Sequence, residues 1–465
     1  MRHHKRRTGT RHRDLTLSGM LLKGGCVLSL DKRVGNFAEA DVLIADGRIA
    51  DVGRGLRPRG AEVVDATNTI VMPGMVDTHR HAWRTLLRNV ADDGSIAHAS
   101  PAGDSSARLE ELAQRIQPED VYAATLVALL GALRAGITTV VDFSDIQRDA
   151  SYTEAALQAH AEAGARTVLV HASPSWAPHT EVTDTLRKII ASPPVTSPTT
   201  TIAYGTPEGD HLTLDELAAA WSTARELGLR IHHHVGTDPG DRGIVTEMGQ
   251  RGMLGSDVTL VHGVHLGGDD FDAIVAQGAS LSSTPASEMA NGRGAPPVQQ
   301  LIDHGIRPGL GVDDEVRTPG ELFAQMRTFQ SMQHAGSFDL KLAGRSGVPP
   351  LLTTREVIRY ATCDGAQAVG LGETTGTLTV GKQADVVLLR TDRPNIAPVN
   401  DPIGAVVWGM DVSNVDTVLV GGEIVVRDGE LVADTHHASS LAYHAFERIT
   451  AGTRPLAEAV EEVSS

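Results

Sequence analysis

Val71-Met72-Pro73-Gly74-Met75-Val76-Asp77-Thr78-His79-Arg80-His81 is the stretch on which the reading of this chain turns. An apolar run ends in two histidines two residues apart, and in a strand that spacing puts both imidazoles on one face. They can grip one metal ion. A His-x-His pair standing alone is a common match and carries little weight. What surrounds it supplies the weight.

Downstream of Gly74, apolar strands alternate with amphipathic helical stretches, the pattern of a parallel sheet wrapped by helices. Strands are predicted at 74–81, 136–144, 165–173, 199–207, 228–236, 257–265, 278–284 and 305–314. Eight such units in roughly 240 residues fit a closed (β/α)8 TIM barrel, whose usual size is ~250 residues. Helical spacing is seen at 119–134, 153–162, 214–227 and 269–277, the first preceded by Pro118 at a first-turn position. The connection 82–118, with Gly94, Ser95, Ser100, Pro101 and Gly103, reads as a long loop over one end of the barrel. Residues 192–198 read as a connector.

Upstream, residues 20–70 are short strands broken by turns such as Asp46-Gly47. Similar strands return at 384–389, 415–420 and 423–426, with turns at Gly421-Gly422 and Asp428-Gly429. The expected organisation is an α/β chain: a basic, disordered arm (1–19), the first part of a smaller β-sandwich domain (20–70), the barrel (71–370), the second part of the sandwich (371–435) and a helical tail (436–465). Gly376-Thr377-Leu378-Thr379-Val380-Gly381-Lys382-Gln383 half-matches a nucleotide-binding loop. It fails, because Gln383 stands where Ser or Thr is required and a strand follows it.

The net charge is -17, and without Arg2, Lys5, Arg6, Arg7, Arg11 and Arg13 the remainder stands at -23. That balance repels nucleic acid and anionic lipid, which leaves a small molecule as the expected partner. No apolar run reaches about 18 residues, so no membrane span is expected, and no apolar core follows the basic arm as an export signal requires. Cys26 and Cys363 form neither a disulfide framework nor a Cys-x-x-Cys site. The cytoplasm is the expected compartment.

In a barrel of this kind the active site lies at the carboxyl ends of the strands. His79 and His81 end predicted strand one, His232-His233-His234 ends strand five, His262 lies late in strand six and Asp313 ends strand eight. Four strands thus deliver nitrogen and oxygen donors to one rim. Within the triple, His232 and His234 share the inward face and His233 points away. His234, nearest the strand end, is the expected ligand.

With these marks the sequence resembles the amidohydrolase superfamily, in particular its cytosine deaminase and triazine chlorohydrolase branch. The resemblance runs from about Met20 to Leu431 and rests on residues 72–81, His234, Val261-His262-Gly263-Val264-His265, Leu310-Gly311-Val312-Asp313 and residues 376–385. It implies one divalent ion held by His79, His81, His234 and Asp313, with His262 beside the substrate. Three imidazoles and a carboxylate suit Zn2+, and the same set also holds Fe2+. Two-metal relatives bridge their ions with a modified lysine on strand four; predicted strand four, 199–207, has none. The implied chemistry is hydrolysis of a carbon–nitrogen bond other than a peptide bond by metal-bound hydroxide, with Asp313 taking a proton and His262 polarising the substrate. A homo-oligomer is also implied, although the composition gives no interface signal.

Two departures limit the analogy. Deaminases of this branch usually carry a glutamate three residues after the strand-five ligand to move a proton to the departing amine; here Thr237 stands there. That keeps a metal-dependent lyase, dehydratase or isomerase open as a second reading. The strand-seven segment Ser283-Thr284-Pro285, with Glu288, replaces a common His-Asn-Pro followed by Asn, so a rebuilt pocket is expected. Substrate contacts are expected from Trp83, Trp176, Thr237, His262 and Glu208, with His179 and Tyr204 as further ring-stacking residues.

Overall fold

The computed structural model describes residues 19–90, 105–176, 182–191, 197–206 and 212–452. Along the chain, β1 (Gly19–Leu28), β2 (Asn36–Ala45), β3 (Arg48–Gly53), β4 (Glu62–Asp65) and β5 (Thr69–Pro73) come first. Eight strands follow: β6 (Met75–Arg80), β7 (Ile137–Ser144), β8 (Arg166–His171), β9 (Thr200–Thr206), β10 (Ile231–Val235), β11 (Val258–His262), β12 (Ser280–Ser283) and β13 (Gly309–Leu310). β14 (Val386–Arg390), β15 (Val415–Val420), β16 (Glu423–Arg427) and β17 (Glu430–Leu431) end the series.

Strands β6 to β13 pair in sequence order, every neighbour parallel. A parallel bridge between Arg80 and Asp313 joins the two ends into a barrel. The bonds of that seam are Asp313 N–H to His79 O at 2.9 Å and His81 N–H to Asp313 O at 2.6 Å. Around the strands lie α1 (Ser105–Arg115) and α2 (Pro118–Arg134) after β6, α3 (Ala150–Ala163) after β7, α4 (Val182–Ala191) after β8, α5 (Leu214–Glu226) after β9, α6 (Ile244–Gln250) after β10 and α7 (Gly268–Gln277) after β11. Next come α8 (Pro285–Ala290) and α9 (Val298–Asp303), then α10 (Leu322–Leu342), α11 (Thr354–Tyr360) and α12 (Cys363–Ala368).

The remaining strands form one mixed sheet in the order β17-β16-β15-β14-β5-β1-β2-β3, with β4 on β1. The smaller β domain is therefore built from both chain ends, and β14 against β5 is where the halves meet. Inside the barrel, Val76, Val141, Phe143, Val168, Val170 and Ala203 pack with Ala366 and Val369 of the α12 region. Because Val76 N–H bonds to Ala361 O, that plug sits at the amino ends of the strands. It leaves the carboxyl ends for chemistry.

The predicted strands and helices are present, with ends shifted by a few residues. The expectation of a long loop over 82–118 is corrected: a 3-10 turn spans Ala82–Leu87 and α1 fills Ser105–Arg115, with 91–104 outside the described residues. Leu109, Leu112 and Ile116 recur on one face and pack against Leu86 and Val121, which is what orders α1. The longest helix, α10, escapes the periodicity because Gln325, Gln330 and Gln333 lie on its buried side, where Gln330 and Gln333 bond to loop carbonyls. Predicted arm residues 1–18, connector residues 192–196 and tail residues from 453 on lie outside the described residues. Among the described residues, no helix is long and apolar enough to cross a membrane.

Closing the barrel demands a residue without a side chain just after the last strand, β13. A Cβ at Gly311 would lie 2.8 Å from His79 O and 2.9 Å from His79 N, both backbone atoms that cannot swing aside. Gly311→Ala is expected to cost about 1–3 kcal/mol by overpacking and to lower the melting temperature. Gly336→Ala, exposed in the interior of α10 with open space around it, is expected to hold or raise it. Thermal melts of the two variants side by side check this.

Candidate metal centre

Four donors meet at the carboxyl end of the barrel. His79 Nε2 lies 3.2 Å from His81 Nε2 and 3.2 Å from His234 Nε2, and Asp313 Oδ1 lies 3.3 Å from the Nε2 atoms of both His79 and His81. Donors bound to zinc at about 2.0–2.1 Å in a tetrahedron stand roughly 3.3 Å apart, the spacing of His79, His81 and Asp313 among themselves; His234 meets that spacing at His79 and groups with His79 and His262. Oδ1 of Asp313 has no hydrogen-bond partner although it is fully buried. An orphaned carboxylate oxygen beside three converging ring nitrogens is a costly arrangement unless a cation sits among them. His79, His234 and His262 also come within metal-binding range of one another, so His262 borders the same centre.

Backbone geometry aims these groups. His262 and Asp313 both adopt left-handed conformations, with φ of 76° and 70°. Each such residue costs about 1–3 kcal/mol, and both sit at this one centre.

The electrostatics fit a metal. Burial drives the His79 ring down to about 4, outweighing the nearby Asp313 carboxylate, and burial with the nearness of His79 drives His234 well below its usual value. Both rings are therefore neutral at pH 7, the form that donates a lone pair. His81 goes the other way. Burial and Arg84 push it down, but Asp145 and Asp313 outweigh both and carry it up to about 9. A cation in the cluster meets the demand for positive charge that this proton would otherwise meet.

The supporting shell is specific. Asp145 accepts from His81 Nδ1 at 2.9 Å, Trp83 Nε1 at 2.6 Å and Arg84 at 2.9 Å. Burial alone would raise Asp145, yet the charges of His81 and Arg84 hold it well below the carboxylate range. A carboxylate on the far nitrogen of a ligating histidine fixes its tautomer and ring orientation. Asp313 Oδ2 accepts from Ser287 Oγ at 2.5 Å.

Several expected contacts are relocated. Trp83 is not a stacking platform: its ring is buried in an outer cluster, its N–H is spent on Asp145 and Arg84 lies 5.3 Å from its centroid. Tyr204 belongs to the core against α5 rather than to the pocket. His233 points outward onto Trp221, with ring centroids 5.4 Å apart, and His232 is buried below His234. Thr237 is part-exposed, its N–H donating to Asp241. Trp176 is 37% exposed beyond β8. Glu208 and His179 lie outside the described residues. Arg84 is engaged with Asp145 and Asp314, and Arg88 with Glu315.

The residue that motif reading passed over is Glu288 on α8. It is fully buried, and Oε1 lies 2.8 Å from Thr284 N and 3.4 Å from His262 Nδ1. Burial pushes it up to about 7 against the bond from Thr284 and the charge of Arg293. Its signal in the sequence was only that an acid stood where Asn is common.

A model of the amidohydrolase family matches residues 70–425. The chain is 28% identical over 456 residues to the 5'-deoxyadenosine deaminase of Methanosarcina mazei, covering 94% of this chain and 99% of that protein. Among solved structures, an adenosine deaminase from Xanthomonas campestris with bound zinc superposes with a TM-score of 0.77 at 20% identity, covering 93% and 99%. The zinc complex of atrazine chlorohydrolase TrzN from Arthrobacter aurescens TC1 does so with 0.79 at 22%, covering 92% and 100%.

The donor set predicts about one equivalent of divalent metal in protein purified without added ions, measured by elemental analysis. Zinc at 1,000 times its dissociation constant is expected to stabilise the metal-free protein by about 4 kcal/mol. His79→Ala is expected to abolish that gain in thermal melts.

Proposed function

The chain belongs to the amidohydrolase family and hydrolyses carbon–nitrogen bonds other than peptide bonds; on that premise we propose that it deaminates an adenine nucleoside altered at the 5' position, releasing ammonia. The observation that carries the reading is the cluster of His79 Nε2, His81 Nε2 and Asp313 Oδ1 at 3.2–3.3 Å spacing, with His234 Nε2 3.2 Å from His79 Nε2. The substrate class follows from the relative of matching length, the 5'-deoxyadenosine deaminase. The lyase or isomerase reading that Thr237 kept open is not favoured, since that relative is a hydrolytic deaminase.

In this proposal His79, His81, His234 and Asp313 hold one ion, Zn2+ by preference, with Fe2+ accepted by the same donors. The bound ion supplies Lewis acidity and a water acidic enough to react at neutral pH. Asp313 takes the proton of the attacking water, its second oxygen kept in place by Ser287. His262 borders the reacting carbon from the next strand and relays a proton to the departing nitrogen. Trp176, exposed beyond β8, covers the base. Thr237 offers a hydroxyl to the substrate but has no proton to trade near pH 7.

Incubation of the zinc-loaded protein with 5'-deoxyadenosine is expected to release ammonia and convert the adenine ring to hypoxanthine, followed by absorbance. Asp313→Asn is expected to lower kcat by ~10²–10⁴-fold. Release of ammonia from none of a panel of adenine nucleosides would refute the substrate class.

A further inference from the structure

Deamination needs a proton delivered to the leaving nitrogen, and the loop after β10 offers only Thr237 at the position nearest its strand end. Among the described residues, the ionisable side chains facing His262 are Glu288 from α8, Arg293 from the segment after α8, and Asp313 from the end of the barrel, together with the rings of His79, His81 and His234. Arg293 donates to His262 Nε2, and Asp313 is committed to the metal cluster. Glu288 is left without a role.

Its surroundings assign one. His262 Nδ1 faces Thr284 Oγ1 at 3.1 Å and Glu288 Oε1 at 3.4 Å. Glu288 is bonded by the Thr284 N–H at 2.8 Å, the Thr284 hydroxyl at 3.4 Å and Ser283 Oγ at 3.3 Å. With its hydroxyl proton directed to Glu288, Thr284 Oγ1 presents lone pairs to the ring. Every neighbour of Nδ1 is then an acceptor. The ring must carry its resident proton on Nδ1, and Nε2 is left with the lone pair to which Arg293 donates.

We propose that Glu288 is a positioning residue: by holding the Nδ1 proton of His262 it makes Nε2 the atom that receives and gives the proton for the departing amine. The inference rests on the deaminase reading. As water adds, the carbon–oxygen bond forms and one water proton passes to Asp313 and from there to Nε2 of His262. The carbon–nitrogen bond then breaks as His262 gives that Nε2 proton to the amine, which leaves as ammonia. His262 is then back in its Nδ1–H form, and the product keeps the second hydrogen of the water. Glu288 faces the ring from the Nδ1 side, away from Nε2, and acts without touching substrate, in the manner of the aspartate of a hydrolase triad.

The test uses the zinc-loaded enzyme and two variants. Glu288→Gln keeps the shape and loses the charge; it is expected to lower kcat for ammonia release by ten- to a thousand-fold while KM and zinc content stay within threefold. Glu288→Asp restores the charge and is expected to recover at least part of that loss. Nitrogen NMR of histidine-labelled wild-type protein, with the His262 signal assigned by His262→Asn, is expected to show the Nδ1–H tautomer. A fall in kcat of less than tenfold, loss of zinc from Glu288→Gln, or an Nε2–H tautomer in the wild type would overturn the proposal. Should no adenine nucleoside be deaminated, the substrate reading falls, and the tautomer still decides the role of Glu288.

Discussion

The seam between the first and last barrel strands is the constraint on which everything else depends. Asp313 donates its backbone N–H to His79 and accepts from the N–H of His81, and its side-chain oxygen stands 3.3 Å from both their ring nitrogens. Closing the barrel and assembling three of the four donors are therefore one event. Gly311 lets the last strand lie against His79, and the left-handed turn at Asp313 swings its carboxylate inward. Strain of a few kcal/mol at such a residue persists only when surrounding structure over-determines it. Two backbone bonds from Asp313 and a third from Val312 N–H to Asp77 supply that.

A buried shell of charge keeps the seam in register. Asp77 accepts from Val312 N–H at 3.0 Å and from Arg80 Nε at 2.7 Å, and Arg80 reaches on to Glu315 and the carbonyl of Gly320. Arg88 meets the same Glu315. On the other flank, Asp142 holds His160 and the N–H of Ala82. Pairs this deep are weak evidence of net stability, because desolvation offsets their attraction. Their consequence is positional: Asp77, Arg80, His81, Trp83 and Arg84 each have a side chain bonded to a named neighbour, as does Thr78, whose hydroxyl meets Ser282 Oγ at 2.6 Å.

What the sequence made legible follows from which signals are local. The strands bury both faces, so their apolar runs and the turn glycines between them were readable, and the alternation across His232-His233-His234 separated the inward rings from the one that packs on Trp221. Trp83 was misread because nothing local says that a tryptophan after a strand end will lose its N–H to an aspartate 62 residues away. α10 hid because buried glutamines bonded to distant carbonyls look like a polar helix face. Glu288 was visible only as an oddity. An acid in Pro-Ala-Ser-Glu-Met-Ala resembles an ordinary helix surface, and only the tertiary fold brings it beneath His262.

Thr237 and Glu288 gain meaning when considered together. One stands after β10 and the other follows β12, and β11, which ends in His262, runs between those two strands. A site that moves protons needs a fixed number of groups able to hold them, and at neutral pH a hydroxyl adds nothing to that number. A carboxyl buried beside an imidazole instead fixes which ring nitrogen can do so, at the price of desolvating a group that Thr284, Ser283 and Arg293 must then stabilise. Three polar neighbours serving one otherwise unused carboxylate are an expensive arrangement to maintain by accident. The metal cluster accounts for His79, His81, His234 and Asp313, but it gives no reason for Glu288. The ring it faces does.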